Sequence, residues 1–232
     1  MVRMYVESVG KLLEESDTLA RMAQFILFRG QNCREPLLPK IARKNPTEDT
    51  VDLERKMLEE LQRRTARSPN VLGKNQWDAL VVAQHYGMAT RLLDWTTNPL
   101  IALWFAVADE DPEQDGYIYL LPVHDGMILD QNADPFSLQG TGVVRPSINN
   151  DRLSAQAGWF TAHPFSAASG KFIDLHEDAE LPDKVRMKGI KGTDKSRFLQ
   201  SLDRAGINQE SIFPGLEGVC RYVDWQFRRR GS

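Results

Sequence analysis

The run Pro99-Leu100-Ile101-Ala102-Leu103-Trp104-Phe105-Ala106-Val107-Ala108 is apolar on every side, so whatever it forms must be enclosed by the rest of the chain. The residues that lead into it, Gln84-His85-Tyr86-Gly87-Met88-Ala89-Thr90-Arg91-Leu92-Leu93-Asp94-Trp95-Thr96, are crowded with hydrogen-bonding side chains. A purely structural segment beside a buried element favours aliphatic residues, because a buried polar group costs free energy unless it finds a partner. Such a segment reads as a prepared binding surface.

Periodicity supplies the surrounding elements. Helical spacing of apolar residues predicts helices over 6–22, 49–65 and 76–85, the last ended by Gly87 in a left-handed cap. Phe25-Ile26-Leu27-Phe28 with Arg29 predicts a buried strand over 24–30, with Gly30 permitting a turn. A short strand is expected over 90–95, with Thr96 or Thr97 capping the helix that runs to about residue 109. Further strands are expected over 116–123, 157–163 and 171–176, and a strand or loop edge over 184–190. The turn-rich stretch 124–150 reads as a long surface loop, and helices are expected over 196–205 and from Pro214 to Phe227. Helices gather first and most strands follow, so the expected fold is α+β: one domain with helices around a central, mostly antiparallel sheet. An N-terminal helical segment, 1–23, is expected to form one compact unit with 24–230.

With 29 basic and 32 acidic residues the net charge is −3, which gives no whole-chain case for binding nucleic acid and leaves only a local basic groove. Cys33 and Cys220 are far apart and lack metal-ligand spacing, His163 and His176 do not pair with them, and no metal site is expected. No secretory leader and no apolar run near the ~18 residues of a membrane span is visible, so a cytoplasmic protein is expected.

Several residues have two readings. Arg29, at a strand end, presents a planar fork suited to a pyrophosphate or carboxylate, or pairs structurally with Glu54 or Asp94. His85 and Tyr86, at a helix end, either cap it or orient a ribose and carry a proton. Asp94 caps the following helix and pairs with Arg91 or Arg29, or contacts substrate. Gln156 binds a ribose hydroxyl or satisfies strand-edge backbone. Glu217 supplies negative charge at a helix N-terminus. Arg91, Arg145 and Arg152 flank a nucleic-acid groove or form a solvated surface.

Together, Phe28-Arg29-Gly30-Gln31, Gln84-His85-Tyr86-Gly87, Thr90 through Thr96, Asn98-Pro99 with Ala102 through Ala106, Gln156 through Thr161, and Ile212 through Gly218 resemble the FRG domain family, named for its Phe-Arg-Gly motif. The resemblance runs from about Ile26 to Arg221, with Ala89 standing where the family usually has proline. A weaker resemblance is to NAD-dependent ADP-ribosyltransferases and their split β-sheet. Arg29 matches the arginine of their first core strand, and Thr96 matches the hydroxyl residue leading from the second strand into a helix. The position of their catalytic glutamate falls near Gln156, which cannot carry charge. Asp94 or Glu217 would then supply the carboxylate.

What this second resemblance implies is an enzyme transferring ADP-ribose from NAD to a nucleic-acid base or a protein, as a toxin or anti-phage defence enzyme restrained by an antitoxin or regulatory partner. Arg29 and Gly30 would hold the cofactor with His85, Tyr86, Thr90, Arg91 and Thr96, while Asp94, Gln156 and His85 would act in catalysis. The alternatives are a non-catalytic nucleotide- or peptide-binding module and an NAD glycohydrolase.

Overall fold

A computed structural model of the protein describes residues 5–68, 71–148 and 150–230. Residues 1–4 of the expected N-terminal segment lie outside the described residues. In chain order the elements are α1 (Val9–Ala20), β1 (Phe25–Gln31), α2 (Val51–Arg64), α3 (Gln76–His85), β2 (Leu92–Thr96), α4 (Pro99–Val107) and β3 (Gly116–Val123). There follow β4 (Gly142–Val144), α5 (Asp151–Ala155), β5 (Gly158–Ala162), β6 (Phe165–Ser166), β7 (Lys171–Phe172), β8 (Arg186–Ile190), α6 (Lys195–Arg204), α7 (Gln209–Ile212) and α8 (Leu216–Arg230).

The fold is α+β. Six strands form one open sheet in the order β4-β5-β2-β1-β3-β8, with every ladder antiparallel, and β6 and β7 form a separate small hairpin. On one face α4 is packed with α1 and α6 against Ile26, Phe28 and Ile118. Further along the same face α3 rests on Leu92, Phe160 and Ala162. The other face is covered mainly by loop residues, among them Leu37, Leu175 and Val185, over Leu27, Trp95 and Leu121. No described helix is long and apolar enough to cross a membrane.

The enclosed helix α4 is where the apolar run predicts it. Its cap is different from the expectation: Asn98 Oδ1 accepts from Leu100 N (2.9 Å), and the Thr96 hydroxyl accepts from Asn98 N (3.0 Å). Pro99 occupies the first turn, where its missing N–H costs nothing. Gly30 does not turn the chain, because β1 continues through Gln31. Its lack of a side chain serves packing instead, since a Cβ there would lie 1.8 Å from the backbone oxygen of Ala102 in α4. Gly116 plays the same part on β3, where a Cβ would lie 2.1 Å from Ala106 O.

The stretch 124–150 is not a surface loop. It contributes the edge strand β4, a 3-10 turn at Asp125–Met127, and the buried side chains Met127, Phe136, Val143 and Val144. Trp77 Nε1 donates to Ala133 O (3.0 Å), fixing this segment to α3. The strand expected over 171–176 shrinks to Lys171–Phe172, because Asp174 turns back to accept from Leu37 N (3.1 Å) and His176 N (2.9 Å).

His163 follows β5 and is buried, 1% exposed. Its Nε2 is 2.8 Å from the Thr161 hydroxyl, which accepts from Trp95 Nε1 at 2.9 Å. Its Nδ1 is buried without a hydrogen-bond partner among the described residues, and no carboxylate pairs with the ring, so the imidazole is neutral. Burial and then the Arg29 charge push its pKa down to about 3. The folded value lies below the unfolded one, so the unfolded chain takes up a proton that the folded chain refuses, and stability is lost as pH falls below 6.5 toward 3. From pH 7 to 5 the wild type should lose roughly 2 kcal/mol more than His163→Gln, at about 1.4 kcal/mol per pH unit once below the unfolded pKa. Urea denaturation at the two pH values checks this, and equal losses in the two proteins would refute it.

Candidate functional site

Strands β1 and β3 pair from Phe25 to Gln31, but β1 and β2 pair only where Phe28 stands opposite Thr96. The centre of the sheet therefore opens beyond that point, and the gap is occupied by Arg29. Its Nη1 donates to the otherwise unladdered carbonyl of Asp94 (2.8 Å) and is 4.0 Å from Asp94 Oδ2. The side chain is 14% exposed, and Nε is buried with no hydrogen-bond partner among the described residues. Burial pulls its pKa below the usual guanidinium value, against the opposing effect of Asp94.

A cleft of about 340 Å³ opens over this gap, between α3 and α4. Phe28, Ile101 and Phe105 give it an apolar floor, and Arg29, Gly30, His85, Asp94, Thr96 and Gln156 all reach its wall. These six come from the sequence expectation, and the fold brings them together. Among the described residues Asp94 is the only carboxylate lining the cleft, and its side chain is 63% exposed. His85 is partly buried there, and burial with the nearby Arg152 charge lowers its pKa, favouring the neutral ring. Gln156 Nε2 is directed at Ile212 O (3.4 Å).

Other expected members are elsewhere. Tyr86 is 80% exposed, stands edge-on to His85 (4.9 Å between rings) and does not line the cleft. Thr90 is fully buried behind it, its hydroxyl donating to Gln84 Oε1. Arg91 is neither a cofactor arm nor a groove residue: at 1% exposure its Nε donates to Glu54 (2.8 Å) and its Nη1 to Pro135 O (2.9 Å). Glu54 therefore pairs with Arg91 and not with Arg29. Glu217 is exposed on α8, pairs with Arg221 (2.7 Å) and is not part of the cleft. Arg145 is exposed and outside it, whereas Arg152 lines it, stacked over Phe213 (4.8 Å).

Lining residues to which the sequence assigned no role of their own include Lys40, Arg43 and Gln84. Lys40 Nζ donates to Gly87 O (2.7 Å), which ties the loop after β1 to the end of α3, and Arg43 Nε donates within that loop to Leu38 O (3.1 Å). The basic spacing in Lys40-Ile41-Ala42-Arg43 was the available signal, but loop residues have no periodicity to fix which way they face. Among the described residues Lys40, Arg43 and Arg152 have no carboxylate within ion-pair distance. In a chain of net charge −3 the cleft thus gathers four cations, Arg29, Lys40, Arg43 and Arg152, around one carboxylate. That arrangement suits an anionic ligand.

Comparison with known protein families matches residues 24–115 to the FRG domain. The similarity to the FRG domain is confined to that segment. The matched segment spans β1 through α4 and so includes the sheet opening, Arg29, Gln84, His85, Asp94 and Thr96. Gln156 and Arg152 close the cleft from beyond the match. No curated protein and no solved structure matches the chain.

Proposed function

We propose that the protein is an NAD-dependent ADP-ribosyltransferase acting on a macromolecular acceptor, a nucleic-acid base or a protein. The observation that carries this reading is the cationic cleft at the opening of the sheet, with Arg29 in the gap and one carboxylate beside it. Its volume falls within the usual ~300–1,000 Å³ of small-molecule sites. Arg29, with its unpartnered Nε, and the mouth cations Lys40 and Arg43 hold the pyrophosphate. Phe105 and Ile101 supply the apolar wall against which a planar ring is packed. His85 lines the ribose.

Chemically, a nucleophile of the acceptor bonds to the anomeric carbon of the nicotinamide ribose. The bond from that carbon to nicotinamide breaks, and nicotinamide leaves with the electron pair as a neutral molecule. The acceptor proton passes to Asp94 and then to solvent, which its exposure allows. In the transition state the Asp94 carboxylate faces the positive charge that develops on the ribose. The fold reading that accompanies this is of the split-sheet, ADP-ribosyltransferase type, supported by the single β1–β2 register position.

The test is incubation with NAD labelled on the adenylate half, together with DNA, RNA and protein acceptors, following nicotinamide release and label transfer. Asp94→Asn should cut turnover by about 10²–10³-fold while NAD still binds, the size of a lost electrostatic contact to the transition state. Arg29→Ala should weaken NAD binding by about 10–100-fold, one or two charge-assisted hydrogen bonds. Absence of NAD binding by calorimetry together with absence of nicotinamide release sinks the proposal. A second reading, a non-catalytic nucleotide-binding module, draws on the neutral Gln156 amide being turned to a backbone carbonyl. It predicts NAD binding without release, and nicotinamide release with water as acceptor would instead identify a glycohydrolase.

A further inference from the structure

We propose that Gln84 is a positioning residue for Asp94, its amide held in one orientation by the buried hydroxyl of Thr90. The proposal rests on the reading in which Asp94 acts on the ribose. A primary amide has two nearly isosteric ends, and only the NH₂ end is compatible with a carboxylate. Left free, the Gln84 side chain would present its oxygen to Asp94 as readily by shape, and the two oxygens would repel.

Thr90 breaks that symmetry. It is 0% exposed, and its hydroxyl oxygen accepts from Leu92 N (3.3 Å). The hydroxyl proton is directed at Gln84 Oε1. With Oε1 engaged, Nε2 faces the other way and donates to Asp94 Oδ1 (2.8 Å). Oδ1 is thereby held, and Oδ2 is the oxygen nearer Arg29, 4.0 Å from Nη1. The chain of contacts runs from the buried start of β2 through the last turn of α3 to an exposed carboxylate. It gives the carboxylate a fixed direction that solvent alone would not provide, at the one acidic side chain that lines the cleft among the described residues. Gln84 and Thr90 need not touch substrate for this; Thr90 does not line the cleft at all.

The experiment compares Gln84→Met, Thr90→Val, Thr90→Ser and the Gln84→Met/Thr90→Val pair in steady-state nicotinamide release. Methionine keeps the length of Gln84 without a donor, and valine keeps the shape of Thr90 without a proton. The expected result is a kcat lower by about 10–100-fold in each of the first two, with KM for NAD within about twofold, because only transition-state geometry is lost. The pair should be no worse than Gln84→Met alone, since both break one chain, and Thr90→Ser should keep wild-type kcat. Wild-type kcat in Thr90→Val, multiplicative losses in the pair, or a rise in KM with kcat unchanged would overturn the proposal.

A side-chain amide NMR spectrum separates this from the reading it rests on. The hydrogen-bonded Gln84 Nε2 proton should resonate downfield in the wild type and return toward the free-amide position in Thr90→Val and Asp94→Ala. If that shift is absent, the positioning chain fails; if it is present and the wild type releases no nicotinamide from NAD, the transferase reading fails instead.

Discussion

Glu54→Ala should lower the melting temperature by on the order of 10 °C, equivalent to about 3–5 kcal/mol in a domain of this size. Glu54 and Arg91 are both essentially without solvent exposure, at 0% and 1% of their side chains. Glu54 accepts twice from Arg91, from the backbone N (2.7 Å) and from Nε (2.8 Å). Burial raises the Glu54 pKa and the Arg91 charge opposes that rise, so the pair persists only because each ion compensates the other. Removing the carboxylate leaves a guanidinium enclosed with one carbonyl acceptor, Pro135 O, and the face of Phe136 at 4.6 Å. The double replacement Glu54→Leu/Arg91→Met removes both charges and should recover most of the loss, because an apolar pair of similar volume needs no compensation. Thermal melts of the two proteins check this, and a single mutant as stable as wild type would refute it.

Gly30→Ala should cost at least about 3 kcal/mol, the upper end of what an added methyl does in a packed interior. The reason is that the obstacle is backbone. The new Cβ would meet Ala102 O at 1.8 Å and Ala106 N at 2.8 Å, and neither can rotate away as a side chain would. Helix α4 must therefore lift from β1, carrying Ile101 and Phe105 out of the cleft floor. The expected outcome is a large fall in urea midpoint together with, under the proposed function, loss of NAD binding. By contrast, an alanine at Gly87 should leave the core intact: no atom lies within 4 Å of the added Cβ, although its φ of +95° is unfavourable for any side chain. Equal stability of Gly30→Ala and wild type would show that α4 can give way.

These two positions also show how far the sequence could be read. Helix α3 and strand β3 have the bounds that periodicity predicts, and α4 is enclosed as its apolar run requires. Arg29 and Asp94 do meet, as a strand-end guanidinium and an isolated acid suggest. Arg91 is equally ligand-like in sequence, because its partner lies 37 residues away on helix α2 and no local pattern announces it. The 124–150 stretch departs from the expected surface loop for a different reason. Its turn residues are genuine, but Asp130 and Asp134 use them to cap their own backbone, accepting from Asn132 N and Phe136 N (2.9 and 3.0 Å). That local order delivers Phe136 between the guanidiniums of Arg55 and Arg91, each 4.6 Å from its ring centre. Composition registers the turns and not the buried ring between them. The cleft cations were the least legible part, since Lys40, Arg43 and Arg152 come from a loop and a short helix separated by much of the chain.

The order of strands in the sheet bears on how fast this chain can fold. Only β4 and β5 are near neighbours in sequence within the main sheet; Phe28 meets Thr96, Arg29 meets Tyr119, Asp94 meets Phe160 and Tyr117 meets Gly189. Every other ladder closes only after a long loop has been drawn in, and loop-closure entropy is lost before a single inter-strand bond returns any of it. A topology of this kind belongs with slow folders, in the range of milliseconds to seconds or beyond, whatever its final stability. During synthesis β1 and β2 of the matched segment emerge with β3 and β5, which must flank them, still unmade, and their edges wait exposed until the second half of the chain arrives.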